Sequence, residues 1–369
     1  GSLRPLFLNA NVVIPCNSCF SICKSSQFII PSLALSDFCL DNSFFSSSFL
    51  CLSSLAFCPK TENDIKKIKK TILGSYVYSY KNDKHLAIAG GVESMSMIPM
   101  GGNDYSISPE VFTKDENVAI SYGMGITAEK VAEQWKVSRE EQDKFAVSSH
   151  KKANQAQIDG LFKDEILPID ITCSKLDITK NEVVITTKTI TEDEGIRADT
   201  TVEGLAKLRP AFAAKGSVTA GNSSQMTDGA ACIVLVSEEY LKKHNLKPIG
   251  RFISFAVAGV PAEIMGIGPI KAIPKALAQA NLTLEQIDWI ELNEAFAAQG
   301  LAVINDLGLD PSKVNPYGGA IALGHPLGAT GAVLTAKLLH GLRRTGKKYG
   351  IVTMCIGTGM GAAGIFEAL

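Results

Sequence analysis

Gly318-Gly-Ala-Ile-Ala-Leu-Gly-His-Pro-Leu-Gly-Ala-Thr-Gly-Ala332 decides how this chain is read, because it sets a histidine in a glycine-rich turn just before the helix-like run Gly331-Ala-Val-Leu-Thr-Ala-Lys-Leu-Leu339. Glycines let backbone and ligand approach closely, Pro326 fixes the turn, and a buried imidazole serves as acid, base or hydrogen-bond donor near neutral pH. Working outward, Cys355 closes the apolar run Tyr349-Gly-Ile-Val-Thr-Met354 and enters the loop Gly357-Thr-Gly-Met-Gly361. The N–H groups of such a loop can face an oxyanion, and a thiol beside them can move a proton or attack. On the other side, Asn293 follows the strand-like Ile287-Asp-Trp-Ile-Glu-Leu292 and can hold a water or a carbonyl oxygen. Taken singly, each residue also has an ordinary reading: a structural histidine, an inert buried thiol, an asparagine that caps a helix. Grouped beside so many small residues, they have the layout of a site.

The whole chain narrows the function classes. With 369 residues it can form two core-bearing units, and a net charge of −1 supplies no field to attract nucleic acid or an anionic membrane. No apolar run has the length of a membrane span, and the ending Phe366-Glu-Ala-Leu369 carries no anchor or peroxisomal tripeptide. Six of the nine cysteines fall before residue 60, while Cys173, Cys232 and Cys355 lack metal-ligand spacing. The expectation is a soluble, intracellular protein with reduced thiols, its organelle left open, with no metal and no permanently bound cofactor. Gly357-Thr-Gly-Met-Gly361 lacks the spacing of a dinucleotide fingerprint.

Pattern along the chain points to the α/β class. After Pro248, strand-like runs (Arg251-Phe-Ile-Ser-Phe-Ala-Val257, Trp289-Ile-Glu-Leu292, Ile351-Val-Thr-Met354, Ala363-Gly-Ile-Phe366) alternate with helix-like ones, which predicts a mixed sheet. Earlier, Leu86-Ala-Ile-Ala89 predicts a short buried strand ending at Gly90-Gly91, and residues from about 95 to 215 carry most of the polar helical material. Asp164-Glu-Ile-Leu-Pro-Ile-Asp-Ile171 and Val183-Val-Ile-Thr-Thr-Lys188 pattern as strands, Asp228-Gly-Ala-Ala231 as a helix start and Cys232-Ile-Val-Leu-Val236 as a strand. Residues 1–83 stand apart. As far as Phe57 they are crowded with Ser, Phe, Leu and Cys, nearly uncharged and without a lasting period, so they read as disordered. A lysine-rich stripe from Lys60 to Leu73, with Ile65, Ile68 and Ile72 on one side, reads as a solvated helix face rather than a nucleic-acid site.

Asn293-Glu-Ala-Phe-Ala-Ala-Gln299, Gly318 to Pro326 and Cys355-Ile-Gly-Thr-Gly-Met-Gly361 resemble the thiolase family in order and spacing, and the resemblance covers roughly residues 86 to 369. Ala89-Gly-Gly-Val-Glu-Ser-Met-Ser96, Leu208-Arg-Pro-Ala-Phe212 and Thr219-Ala-Gly-Asn-Ser-Ser224 agree with it. The related decarboxylating ketoacyl synthases place a second histidine where this chain has Asn293. The wording from Ile321 to Gly331 is similar to the degradative 3-ketoacyl-CoA thiolases. The resemblance implies a five-layered αβαβα core made of two mixed-sheet halves of five strands each, with residues 84–246 the remainder of an incomplete N-terminal half, residues 247–369 the C-terminal half, and a loop domain at about 95–215 over the CoA. It implies acyl-CoA and CoA as substrates and a homodimer or homotetramer if the core is complete. The implied reaction is thiolytic cleavage of 3-ketoacyl-CoA to acetyl-CoA and a shortened acyl-CoA, as in fatty acid β-oxidation. A biosynthetic acetoacetyl-CoA thiolase and a non-catalytic CoA-binding protein remain as alternatives.

By the same resemblance, His325 activates a nucleophilic cysteine and helps bind the thioester oxygen, and Cys355 shuttles the α-proton of acetyl-CoA. Asn293 holds a water in one oxyanion hole and the Gly357 N–H contributes to a second. Ser224 bonds the pantetheine chain, Arg197 lies near the CoA nucleotide, and Phe212, Ala295 and Phe296 line the pantetheine tunnel. Arg197 also reads as a plain surface arginine, and Phe212 and Phe296 as core. The family's nucleophile belongs where this chain has Ile65; Cys51-Leu-Ser-Ser-Leu55, further upstream, is the nearest imitation. The expectation is that residues 1–83 are foreign to the family's N-terminal half, supply none of its strands, and leave catalysis impaired.

Overall fold

The computed structural model describes residues 6–15, 75–79 and 85–369, apart from 99, 101, 103–105, 178 and 180. Eight strands form one sheet. From the chain before residue 247 come β1 (Leu6–Pro15), β2 (Ser75–Ser79), β3 (Leu86–Ser94) and β6 (Asp228–Val236). From the remainder come β7 (Pro248–Gly259), β8 (Trp289–Leu292), β9 (Tyr349–Ile356) and β10 (Met360–Ala368). Their order across the sheet is β2-β3-β6-β1-β7-β10-β9-β8, antiparallel except for the parallel pair β8 and β9. β4 (Ile169–Asp177) and β5 (Glu182–Ile190) make a separate hairpin.

The C-terminal strands are apolar on both faces because helices cover both. Along β10, Ala363 and Ile365 join one core cluster and Ala362 and Phe366 the other. The first cluster is filled by α5 (Gly268–Ala280) and α6 (Ala297–Leu307). The second is filled by α8 (Thr330–Arg344), which packs against β3, β6, β7, β8, β9 and β10. Leu338, Leu339 and Leu342 of α8 are almost wholly buried, each worth about 1.5–3 kcal/mol of apolar burial. The remaining helices are α1 (Met124–Gln134), α2 (Arg139–Ile158), α3 (Val202–Ala206), α4 (Glu238–His244) and α7 (Ala320–Leu323). A capping box starts α2, with Ser138 and Glu141 satisfying each other's backbone N–H groups.

The α/β class and the mixed sheet hold; the described residues supply four strands from each side of residue 247, joined where β1 bonds both β6 and β7. Several expectations change. The front segment therefore does supply strands: Leu6-Phe-Leu-Asn-Ala-Asn-Val-Val-Ile-Pro15 is uncharged and rich enough in β-branched and large apolar residues to pair on both sides. Asp228-Gly-Ala-Ala231 opens β6 instead of a helix, since its backbone bonds go to β3 and β1 on either side. β3 runs past Gly90-Gly91 to Ser94, because β6 pairs with it along its whole length. The strand expected from Asp164 starts only at Ile169, beyond Pro168, whose ring removes a ladder donor. The lysine stripe, Ile65 and Cys51 lie outside the described residues.

Candidate active site

Asn293 to Phe296 leave the end of β8 with their backbone held from two directions. The Asn293 N–H donates to the Thr353 carbonyl of β9 at 3.0 Å, and the Ser224 N–H donates to the Ala295 carbonyl at 2.9 Å. His325 stands between α7 and α8, after Gly324 at φ +90°. The turn is seated on the sheet: the Gly328 N–H donates to Glu93 Oε2 of β3 at 3.3 Å. A Cβ at Gly91 would lie 1.7 Å from the Gly328 carbonyl oxygen, so the approach of turn to strand requires glycine there.

Hydrogen bonds assign the histidine tautomer. His325 Nδ1 lies 2.7 Å from Thr330 Oγ1, and the Thr330 hydroxyl donates to the Pro326 carbonyl at 2.8 Å. Thr330 is thus an acceptor for the ring, which places the proton on Nδ1. Nε2 then carries the lone pair, and Asn293 Nδ2 donates to it at 3.2 Å. Burial pushes the imidazole down to about 4, so it is neutral at neutral pH. Asn293 Oδ1 is buried and finds no hydrogen-bond partner among the described residues, which leaves it free to accept from a ligand or water.

Cys355, 8% exposed at the end of β9, packs with Met124, Ala128, Met265, Ala295 and Phe296. Burial pushes its thiol up to about 12, so it is protonated. Gly357 opens the tight turn into β10, and a Cβ there would come within 3.0 Å of Met124 Cε. Phe212 meets Phe296 edge to face at 5.9 Å between ring centres, and Ser224 is half-buried beside them. The structure thus joins Asn293 to His325 directly, and Cys355 to the Ala295, Phe296 and Phe212 wall. Arg197 stands off at the surface; its N–H donates to His150 Nδ1 at 3.1 Å. Burial first, and then the Arg197 charge, holds His150 below its ordinary value. Thr330, Met124 and Glu93 receive no role from the sequence: a threonine at a helix start looks like a cap, a methionine reads as core, and nothing in the Ala89–Ser96 stretch marks Glu93 as a contact of Gly328.

The thiolase N-terminal domain matches residues 80–239 and the thiolase C-terminal domain residues 246–368. The chain belongs to the thiolase family. The 3-ketoacyl-CoA thiolase of Bacillus subtilis (strain 168) is 49% identical over 299 residues, covering 81% of this chain and 74% of the relative. The peroxisomal 3-ketoacyl-CoA thiolase of Homo sapiens is 50% identical over 283 residues, covering 76% of this chain but only 65% of the relative. Among solved structures, the dimeric peroxisomal thiolase of Saccharomyces cerevisiae aligns with a TM-score of 0.68 at 44% identity, over 83% of this chain and 72% of that one. Human mitochondrial 3-ketoacyl-CoA thiolase in complex with CoA aligns with a TM-score of 0.66 at 41% identity, over 77% and 71%. This thiolase-family chain has no helix, among the described residues, long and apolar enough to cross a membrane. Its described cysteines are Cys173 on the exposed hairpin, Cys232 within β6, and Cys355.

Proposed function

We propose that this site is built for thiolytic cleavage of 3-ketoacyl-CoA to acetyl-CoA and a shortened acyl-CoA. One observation carries the reading: the Nε2 lone pair of a neutral imidazole is steadied by Asn293 at 3.2 Å, and Ala295 of the same segment packs in one cluster with the protonated buried thiol of Cys355. His325 Nε2 takes the proton of an attacking thiol. The thiolate adds to the β-carbonyl, the bond between the α and β carbons breaks, and its electron pair becomes the enolate of acetyl-CoA. Cys355 gives its Sγ proton to the α carbon, and its thiolate, a strong base by virtue of burial, recovers a proton from the incoming CoA thiol. That CoA thiolate then takes the acyl group, and the first thiol leaves it and recovers its proton from His325 Nε2. The Gly357 N–H and the Asn293 side chain stabilise the oxyanions. Phe212, Ala295, Phe296 and Ser224 hold the pantetheine arm, and Arg197 the nucleotide phosphates. The 3-ketoacyl-CoA thiolases of Bacillus subtilis and Homo sapiens support the substrate class, and the dimeric yeast thiolase supports pairing as a homodimer. An intracellular setting fits those substrates.

Turnover of acetoacetyl-CoA and of longer 3-ketoacyl-CoA esters with CoA tests the reading. His325→Ala and Cys355→Ser are each expected to lower kcat by about a thousandfold or more, as for groups that act as a unit. Turnover of acetoacetyl-CoA alone would move the chain to the biosynthetic group. A second reading, CoA binding without cleavage, is favoured by one observation: Ile65 stands where the resemblance puts the attacking cysteine. Calorimetry separates the two, since micromolar CoA binding without any turnover would replace the first reading with the second.

A further inference from the structure

Next to Asn293, the Glu294 carboxylate lies beneath the site and is 2% exposed. Its Oε2 accepts from Ser149 Oγ of α2 at 2.6 Å and from the Ile321 N–H of α7 at 3.3 Å; its Oε1 accepts from Asn315 Nδ2 at 2.8 Å. Ser149 Oγ also accepts from the Gly319 N–H at 3.1 Å. The Asn315 amide grips Leu292, accepting from its N–H at 2.9 Å and donating to its carbonyl at 2.8 Å. One carboxylate therefore joins α2, the end of β8 that carries Asn293, and the stretch that leads into His325. The fit is tight, since a Cβ on Gly319 would lie 2.2 Å from the Glu294 carboxyl carbon. Burying a carboxylate is costly and is weak support for stability, so its three directed acceptor bonds point to placement. On the far side, Lys337 Nζ of α8 pairs with Glu291 at 2.8 Å and donates to the Gly318 carbonyl at 2.5 Å, tying the start of the same stretch to β8.

We propose that Glu294 is a positioning residue that sets the contact between Asn293 and His325 Nε2 through the backbone on both sides of it. The proposal rests on the reading of His325 as the base, yet its test separates the two. Glu294→Gln keeps the volume and one acceptor, but its new amide faces Asn315 Nδ2 donor to donor. In the full chain labelled with nitrogen-15 at histidine, the His325 ring is expected to hold one Nδ1–H tautomer from pH 8 to 5. In Glu294→Gln it is expected to show mixed tautomers and to titrate, with kcat down about 10- to 100-fold and KM within about twofold. A single unchanged tautomer in Glu294→Gln, or an unchanged kcat, at an unchanged melting temperature overturns the proposal. Should Glu294→Gln not fold, Ser149→Ala removes a single bond to the carboxylate and takes the same test. If the unaltered chain shows no turnover, the proposed reaction falls while the ring signal alone decides the role of Glu294.

Discussion

β9 and β5 are built from similar residues and meet opposite fates. Tyr349-Gly-Ile-Val-Thr-Met-Cys-Ile356 is buried at seven of its eight positions, whereas Glu182-Val-Val-Ile-Thr-Thr-Lys-Thr-Ile190 is exposed at eight of nine. β-branched residues suffice to make each a strand. Burial comes from neighbours: β9 lies between β8 and β10 with helices on both faces, while among the described residues β5 pairs only with β4. The chemistry follows burial. His325 and Cys355, whose values burial shifts, belong to the covered region, and the hairpin's Cys173 is exposed.

The contrast breaks most visibly at Leu338, which is fully buried in α8, with Gly350 of β9 packed closely against it. Leu338→Ala is expected to cost about 2–5 kcal/mol in urea denaturation, the range for deleting a packed core leucine. A loss under 1 kcal/mol would mean that α8 does not close the sheet as described.

A smaller effect is expected from Glu165, 5% exposed, whose carboxyl burial pushes up from 4.5 to about 8 against the pull of Lys337. Because the folded value lies above the unfolded one, the neutral acid stabilises the fold. That contribution is complete below 4.5 and is lost as pH rises through about 8. Glu165→Gln should therefore reduce the fall in stability between pH 6 and 9 by about 2–3 kcal/mol. Identical pH profiles for the two proteins would place water beside this carboxylate.

The smallest effect should come from the hairpin. Ile185, 68% exposed, has little to lose, so Ile185→Thr is expected to change stability by about 0.5 kcal/mol or less. A loss above 1 kcal/mol, or a change of assembly size in light scattering, would show that something covers β5 in solution.

Asn293, His325 and Cys355 stand out as candidates in the sequence because each sits among small residues within a short motif, and the structure brings Asn293 and His325 together. The strands after Pro248 were legible for a similar reason: runs buried on both faces are nearly continuous in apolar residues. Asp228-Gly-Ala-Ala231 misled because small residues carry no period, and only pairing with β3 and β1 makes it a strand. Leu6–Pro15 misled because a brief pairing run was submerged in a longer patternless segment. Glu294, Ser149 and Asn315 could not be linked from the sequence at all, since the bond from Ser149 to Glu294 spans 145 positions.

By itself, then, the sequence determined which reactive groups the protein owns, their family, and the elements of the C-terminal half, all properties carried within a few consecutive residues. Tertiary structure alone decided that two sets of four strands share one sheet, that the His325 proton sits on Nδ1, and that the Cys355 thiol stays protonated. Those outcomes depend on hydrogen-bond partners and on exclusion of water by segments far apart in the chain, and neither is written in local order.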